Sequence, residues 1–283
     1  MAVDWSRYWR APGLPLEAMH AHFETTVYHR HSHEGYSFGV TEDGAQSFRC
    51  RGAGHTSASG MVMAFNPDDP HDGYPADESG FTYRIVHIGT EVVARVLADL
   101  SPGNPGLPLF AEPVHTDPVL AGRIRALHRG LAGGASALRR DELLAAAVGA
   151  MARRAAITTA AVTAAGELTG GRTAAASYAR RARDLLQAAP LTDISGPQLA
   201  AAAGCSRFAL HRAFVAAYGL TPAGYQRQIR LRLARRLIAD GCPISDAAAT
   251  SGFADQSHLT RWFVRHYAIT PGAYRRAALA GRS

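Results

Sequence analysis

Seven residues in the last part of the chain recur 49 positions later: Leu210, Arg212, Phe214, Tyr218, Thr221, Pro222 and Tyr225 return as Leu259, Arg261, Phe263, Tyr267, Thr270, Pro271 and Tyr274. Gly204 returns as Gly252 at a spacing of 48, so the copies differ by one residue just after the glycine. Identities held in register in this way mark a duplicated supersecondary unit. Each copy has a short alanine-rich segment (residues 198–203 and 246–250), a glycine that permits a sharp reversal, and a longer segment. In the longer segments Leu210 and Phe214, and again Leu259 and Phe263, lie four apart, which puts them on one face of a helix and leaves polar side chains on the other. This is the grammar of a helix-turn-helix, whose second helix enters the major groove and reads bases with its N-terminal part. An all-helical bundle with short helices joined at glycines has the same local pattern, so the charge has to be weighed as well.

Residues 178–283 hold 15 arginines against five acids (Asp184, Asp193, Asp240, Asp246 and Asp255), whereas residues 1–177 hold 15 arginines against 18 acids. The formal net charge of +7 therefore belongs to the duplicated part. A compact basic block without an apolar anchor suits a polyanion such as DNA or RNA, with simple solubility as the bland alternative. The chain has no lysine, so every positive side chain is a planar fork able to pair bidentately with phosphate or guanine. Between the copies, Pro222 stands where a first-turn proline is tolerated, and Tyr225, Ile229, Leu233 and Leu237 continue a helix to about residue 240. At 1.5 Å per residue such a helix is about 27 Å long. With the width of the modules added, the two reading helices come near the ~34 Å between successive major grooves on one face of DNA. Arg227, Arg230, Arg232, Arg235 and Arg236 on this helix read as a solvated face.

At 283 residues the chain is long enough for two domains. No apolar run approaches the ~20 residues that cross a bilayer. The N-terminus carries acidic and aromatic residues where a secretory signal has an apolar core, so a cytoplasmic location is expected. Cys50, Cys205 and Cys242 have neither metal-ligand spacing nor a paired framework, which suits a reducing compartment.

From about residue 23 to 88 the chain reads as short strands broken by Gly, Pro and Asp, among them residues 47–50, 60–65 and 81–88, which points to a small β-barrel or sandwich. From Pro118 the period changes: Leu120, Ile124, Leu127 and Leu131, then, after Gly133 and Gly134, Leu144, Val148 and Met151, form the apolar stripe of a helical hairpin. That stripe can pack on the barrel or on a second copy of itself. Residues 157–175, rich in Ala, Thr and Gly, read as a linker. The organisation expected is thus α+β and multidomain: a barrel over residues 1–112, a hairpin suited to dimerisation over 113–156, the linker, and an all-α block over 176–283.

The segments 199–206, 210–214, 219–222 and 230–234, followed by Ile244-Ser-Asp246, residues 252–261 and 270–275, closely resemble the AraC/XylS family of bacterial transcription regulators. The resemblance covers about the last hundred residues. It implies two helix-turn-helix modules joined by a long helix and bound to double-stranded DNA. Base readers early in the two reading helices then match Phe208, His211 and Arg212 in the first module and Gln256, Ser257, His258 and Arg261 in the second. Chemistry supports them unevenly: the arginines can donate two bonds to guanine, Gln256 can pair with adenine, and Phe208 can cover a thymine methyl. His211 and His258 can instead position the protein on phosphates. The sequence departs from the family at Ala268, where a glycine usually follows the second reading helix.

Residues 28–34 place His29, His31 and His33 on one face of a strand, with Tyr36, Phe38 and Val40 on the other parity. Together with residues 60–71 they resemble the cupin-like sensor domain often fused to such modules, its His-x-His pair and later histidine matching His31, His33 and His71. Three converging imidazoles can hold Fe, Mn, Ni or Zn. Metal-dependent enzymes of that fold usually add a glutamate a few residues later, where this chain has Ser37 and Phe38, and Glu34 points to the wrong side of an extended strand. No metal or other cofactor is therefore expected, and His31, His33, Tyr36, Phe65 and His71 are expected to line a pocket for a small organic effector. No Ser-His-Asp grouping, acid pair or phosphate loop suggests an enzyme. The resemblance implies an effector-controlled homodimer, with contact to RNA polymerase where it activates. The alternatives are a metal-dependent cupin enzyme with an appended DNA-binding domain, and a dimeric regulator without an effector.

Overall fold

A computed structural model describes residues 4–100, 106–164 and 174–280 of the chain, with side chains in the helical stretch 156–164 left aside. Two compact units divide it. The first begins with strands β1 (Trp5–Arg10), β2 (Leu16–Phe23), β3 (Tyr28–His31), β4 (Tyr36–Cys50), β5 (Ala53–Ala58), β6 (Val62–Phe65), β7 (His71–Pro75) and β8 (Phe81–Ile88). Helix α1 (Thr90–Leu100), the short strand β9 (Val114–His115), and helices α2 (Pro118–Ala132) and α3 (Ala137–Ala164) follow.

All the pairings are antiparallel, and the strands run in the order β1-β2-β8-β4-β6-β9. The long β4 holds the fold together. Its first half pairs with β8 and β6, and its second half turns away to pair with β5 and β7, with β3 beyond β7. A register shift between Thr41 and Asp43 makes that bend. Gly44 completes it at φ +67°, where a Cβ would lie 2.2 Å from the Gly80 carbonyl oxygen, so no larger residue fits.

Side-chain parity then assigns two faces. Tyr36, Phe38 and Val40 of β4, Val62 and Ala64 of β6, and Val86 and Ile88 of β8 share one core with Val92, Val93 and Leu97 of α1 and with the hairpin. The hairpin contributes Leu120, Ile124 and Leu127 from α2 and Leu144, Val148 and Met151 from α3. Of the two destinations open to the apolar stripe, it takes the sheet of its own chain. Asp117 caps α2 by accepting from the Leu120 N–H, with Pro118 in the first turn. At Gly130 a Cβ would lie 2.5 Å from Leu143 Cδ1, so the glycine allows α2 and α3 to approach closely.

Several boundaries differ from the sequence reading. The strands begin at Trp5 rather than near residue 23, because β1 is a polar, half-buried edge strand with little alternation. Helix α1 has no counterpart in that reading. Helix α3 runs to Ala164, into the expected linker, through a stretch of Ala and Thr without glycine or proline. The linker residues 165–173 lie outside the described residues. Among the described residues, no helix is long and apolar enough to cross a membrane.

The second unit contains α4 (Ala174–Ala188), α5 (Gly196–Ala203), α6 (Arg207–Tyr218), α7 (Pro222–Ala239), α8 (Ile244–Thr250), α9 (Gln256–Tyr267) and, up to Arg275, the start of α10 (Pro271–Leu279). Its repeat is explained by cap, turn and core positions. Gly204 and Gly252 both adopt the left-handed conformation, at φ +78° and +77°. Phe214 and Phe263 are fully buried. Each meets a tyrosine one turn on, edge to face, at 4.8 Å (Tyr218) and 4.7 Å (Tyr267). Each also meets the tyrosine of the following helix, at 5.5 Å (Tyr225) and 5.6 Å (Tyr274). Thr221 and Thr270 cap those following helices by accepting from the backbone N–H groups of Gly224 and Ala273.

Candidate nucleic-acid interface and sensor pocket

In each module a short helix, a glycine turn and a capped longer helix raise the first turns of α6 and α9 out of the core. Ser206 caps α6 by accepting from the Ala209 N–H, and Asp255 caps α9 by accepting from the His258 N–H. Leu210, Ala213 and Phe214 anchor α6, and Leu259 and Phe263 anchor α9, while His211, Arg212 and Arg261 between them face outward. Phe208 is 68% exposed, a large apolar side chain held at the surface. The Arg212 guanidinium sits 4.5 Å from its ring centroid, which keeps both side chains together on the exposed face. His211, Gln256, Ser257 and Arg261 are exposed as well.

His258 differs from the other predicted readers. It is half-buried, its ring edge-on to Phe253 at 5.4 Å, and Trp262 Nε1 donates to its Nε2 at 3.1 Å. Those contacts hold it within the module.

The arginines of α7 are not the solvated face expected of them. Arg227 stacks 3.7 Å over the Trp262 ring, and burial, with Arg265 nearby, lowers its pKa. Arg230 donates to the carbonyls of Pro190, Leu191 and Gly252. Arg235 lies 4.9 Å from the Tyr267 ring and 5.2 Å from that of Tyr274. Arg232 is half-buried, and Arg236 alone of the five is exposed. A helix that carries one module on each side has little free face, and planar guanidinium groups fill the seams against aromatic rings and carbonyls.

In the first unit, β3, β7 and the turn after β3 bring His31, His33 and His71 together, with one ring nitrogen from each inside 4.8 Å of the others. The His31 Nδ1–H donates to the His29 carbonyl at 2.7 Å, and the His71 Nδ1–H to the Asp69 carbonyl at 2.9 Å. A carbonyl can only accept, so both neutral rings carry their proton on Nδ1 and present Nε2 as a lone pair. Phe65 stacks on His71 with ring centroids 3.9 Å apart.

Tyr36, expected in the same pocket, stands on the opposite side of β4. Its hydroxyl donates to the Pro108 carbonyl at 2.7 Å and its ring stacks on Phe38 in the core shared with the helices. The parity that separates it from the histidines is visible in the sequence. Conversely, His87 of β8 joins the cluster although the sequence reading does not include it, 4.6 Å from His33 between ring centroids. Its Nδ1 meets Ser37 Oγ at 2.8 Å. The signal is again parity, since Phe81, Tyr83, Ile85 and His87 alternate along β8, but only strand pairing shows which face they share. Burial pushes both His71 and His87 down to about 4, so both rings are neutral at pH 7.

Comparison with known proteins follows the same division. A model of the AraC-like ligand binding domain matches residues 13–148, and a helix-turn-helix domain model matches residues 199–277. An uncharacterized HTH-type transcriptional regulator of Bacillus subtilis, YbfI, is 25% identical across 88% of this chain and 87% of its own. The transcriptional activator NphR of a Rhodococcus species is 38% identical over 30% of this chain and 25% of its own. In fold, the chain is similar to an apo form of a ToxT point variant from Vibrio cholerae, with a TM-score of 0.57 at 12% identity, over 95% of this chain and 100% of that one. ToxT bound to (E)-4-(8-methylnaphthalen-1-yl)but-3-enoic acid aligns with a TM-score of 0.52 at 13% identity, over 97% and 99% of the two chains. With an AraC-like ligand-binding domain in front of a duplicated helix-turn-helix block, the chain belongs to the AraC/XylS family of DNA-binding transcription regulators.

Proposed function

We propose that the protein is a one-component regulator in which a ligand held by the first unit alters how the second unit engages a promoter. The observation that carries the DNA-reading half is the pair of capped helices with exposed first turns, α6 and α9, joined through the 18-residue α7. One chain then reads a bipartite half-site. Arg212 and Arg261 take guanines bidentately, Gln256 an adenine, and Phe208 a thymine methyl. Ser257 and His211 contribute backbone or base contacts, and His258 holds the start of α9 in place.

Control by a ligand requires that it bind two states of the regulator unequally. ToxT, with a bound butenoic acid derivative, supports a ligand site in this fold. Because the apolar stripe of α2 and α3 is buried against the sheet, a dimer formed through the hairpin uses its outer face, where Val119 and Leu138 are exposed.

Selection of bound fragments from random duplex tests the reading. The wild-type chain should enrich a bipartite sequence. Arg212→Ala and Arg261→Ala should each relax preference at one base step, costing about 1 to 3 kcal/mol there. Equal weakening on every sequence would assign those arginines to phosphates instead.

A further inference from the structure

We propose that Arg230 is the positioning residue that sets the distance and rotation between the two reading helices, and so the spacing that one chain accepts between the two halves of its binding site. The proposal deepens the DNA-reading half of the proposed function and rests on it. Arg230 stands in the middle of α7 and is half-buried. Its planar guanidinium donates from Nε to the Pro190 carbonyl at 2.9 Å, from Nη2 to the Leu191 carbonyl at 3.3 Å and from Nη1 to the Gly252 carbonyl at 3.3 Å. The first two carbonyls belong to the turn between α4 and α5, in the first module. The third belongs to the turn between α8 and α9, in the second module, four residues before Gln256. One rigid group thus bridges the two modules.

The internal repeat separates this role from the packing of either module. Shifted by 49 positions, Gln226 becomes Arg275. Gln226 Nε2 donates to the carbonyls of Pro190 at 3.1 Å and Thr192 at 2.8 Å, in the turn before α5. Arg275 Nη2 donates to the Gly241 carbonyl at 3.0 Å, in the turn before α8. Each module therefore has an internal tie of the same kind, made by the helix that follows its reading helix. The same shift turns Arg230 into Leu279, whose side chain has no donor. Arg230 stands outside the duplicated pattern, and its bonds run between the copies, so it serves their relation to each other.

The far end of the bridge is fixed to the helix it positions. The N–H groups of Gly252 and Phe253 donate to the Ala249 and Ala248 carbonyls at 3.1 and 2.9 Å, which anchors the turn on α8, and Asp255 caps α9 three residues on. Leu191 also comes over this turn. A Cβ at position 252 would lie 3.3 Å from Arg230 Nε and 3.4 Å from Leu191 Cδ2, so a glycine, here at φ +77°, lets the two turns approach. Successive base pairs are about 3.4 Å and about a tenth of a turn apart. A shift of a few ångströms in the second module therefore moves α9 to the neighbouring base pair.

The test uses the full chain and duplexes carrying one copy of the bipartite sequence that the wild type selects, with the spacer between its halves lengthened or shortened by one base pair. The wild type should bind the altered spacings at least about tenfold more weakly than the selected one. Arg230→Ala should reduce that discrimination to about threefold or less and keep the base preference within each half, a pattern that loss of stability alone does not produce. Arg230→Lys keeps the charge and should lose the discrimination too, because an ammonium is a point donor that does not span two turns. Gln226→Ala, which removes ties inside the first module, should keep the discrimination at about tenfold or more. Discrimination retained by Arg230→Ala or by Arg230→Lys overturns the proposal, as does a loss in Gln226→Ala equal to that in the Arg230 variants. If Arg230→Ala does not fold, Arg230→Lys decides. A wild type that accepts the altered spacings within about threefold overturns the proposal without any variant and leaves the regulator reading intact. A wild type that prefers no duplex overturns the regulator reading itself.

Discussion

Ala268 ends α9 at φ +49°, where its counterpart after α6 is Gly219 at φ +65°. A Cβ in the left-handed region costs about 1 kcal/mol relative to glycine, so Ala268→Gly should raise stability by about that much, read as a shift of the urea midpoint. No gain would mean that the unfolded chain's added freedom offsets the relieved strain. His128 shows a different cost. It is completely buried, edge-on to Trp9 at 5.4 Å and to His20 at 6.0 Å. Burial, followed by the charge of Arg84, pushes its pKa down to about 4. The folded state thus favours the neutral ring. The associated stability is complete above the ordinary histidine pKa of about 6.5 and is lost as pH falls toward 4, to the extent of about 3 kcal/mol at full protonation. Denaturant titrations at pH 7.5 and pH 5 should show a smaller loss in His128→Gln than in the wild type. An equal loss in both would remove His128 as a cause.

Among the elements, α6 and α9 were legible because their determinants lie within a few residues of one another: a cap, a four-residue apolar spacing and a turn glycine. The seven repeated identities include the core residues Leu210 and Phe214, the packing tyrosines, and the Thr-Pro start of the next helix. Helix α7 is legible as a helix but not as a packed surface. Its arginines are spaced as a solvated stripe would be, and nothing local reveals that Trp262 and Tyr267 of α9 lie across from them. The Arg227–Trp262 stack should therefore be structural. Arg227→Ala is expected to destabilise the second unit by about 1 to 2 kcal/mol, and Arg227→Lys to recover only part of that, since an ammonium does not stack as a plane. Thermal unfolding of the variants checks it, and a neutral Arg227→Ala would return Arg227 to the solvated face.

Across the whole molecule the excess of positive charge follows the DNA-reading unit, so binding should weaken steeply with salt. Arg207, exposed in the first turn of α6, is placed for a phosphate rather than a base. Arg207→Gln should flatten the slope of log affinity against log salt by about 0.9 while leaving sequence preference unchanged, as measured by titration of operator DNA. A change of preference would make it a reader. The division into a sheet-bearing unit and a helical one could be read from periodicity and from the position of the charge, because both are properties of neighbouring residues. The composition of the histidine cluster could not. His33 and His87 are 54 residues apart in the chain and meet only through strand pairing, whereas the exclusion of Tyr36, three residues from His33, follows from its parity. Helices, caps and turns follow from interactions a few residues in range, whereas the members of a cluster spread over three strands and a turn depend on register, bend and which face each strand buries, and these are set by the folded chain as a whole.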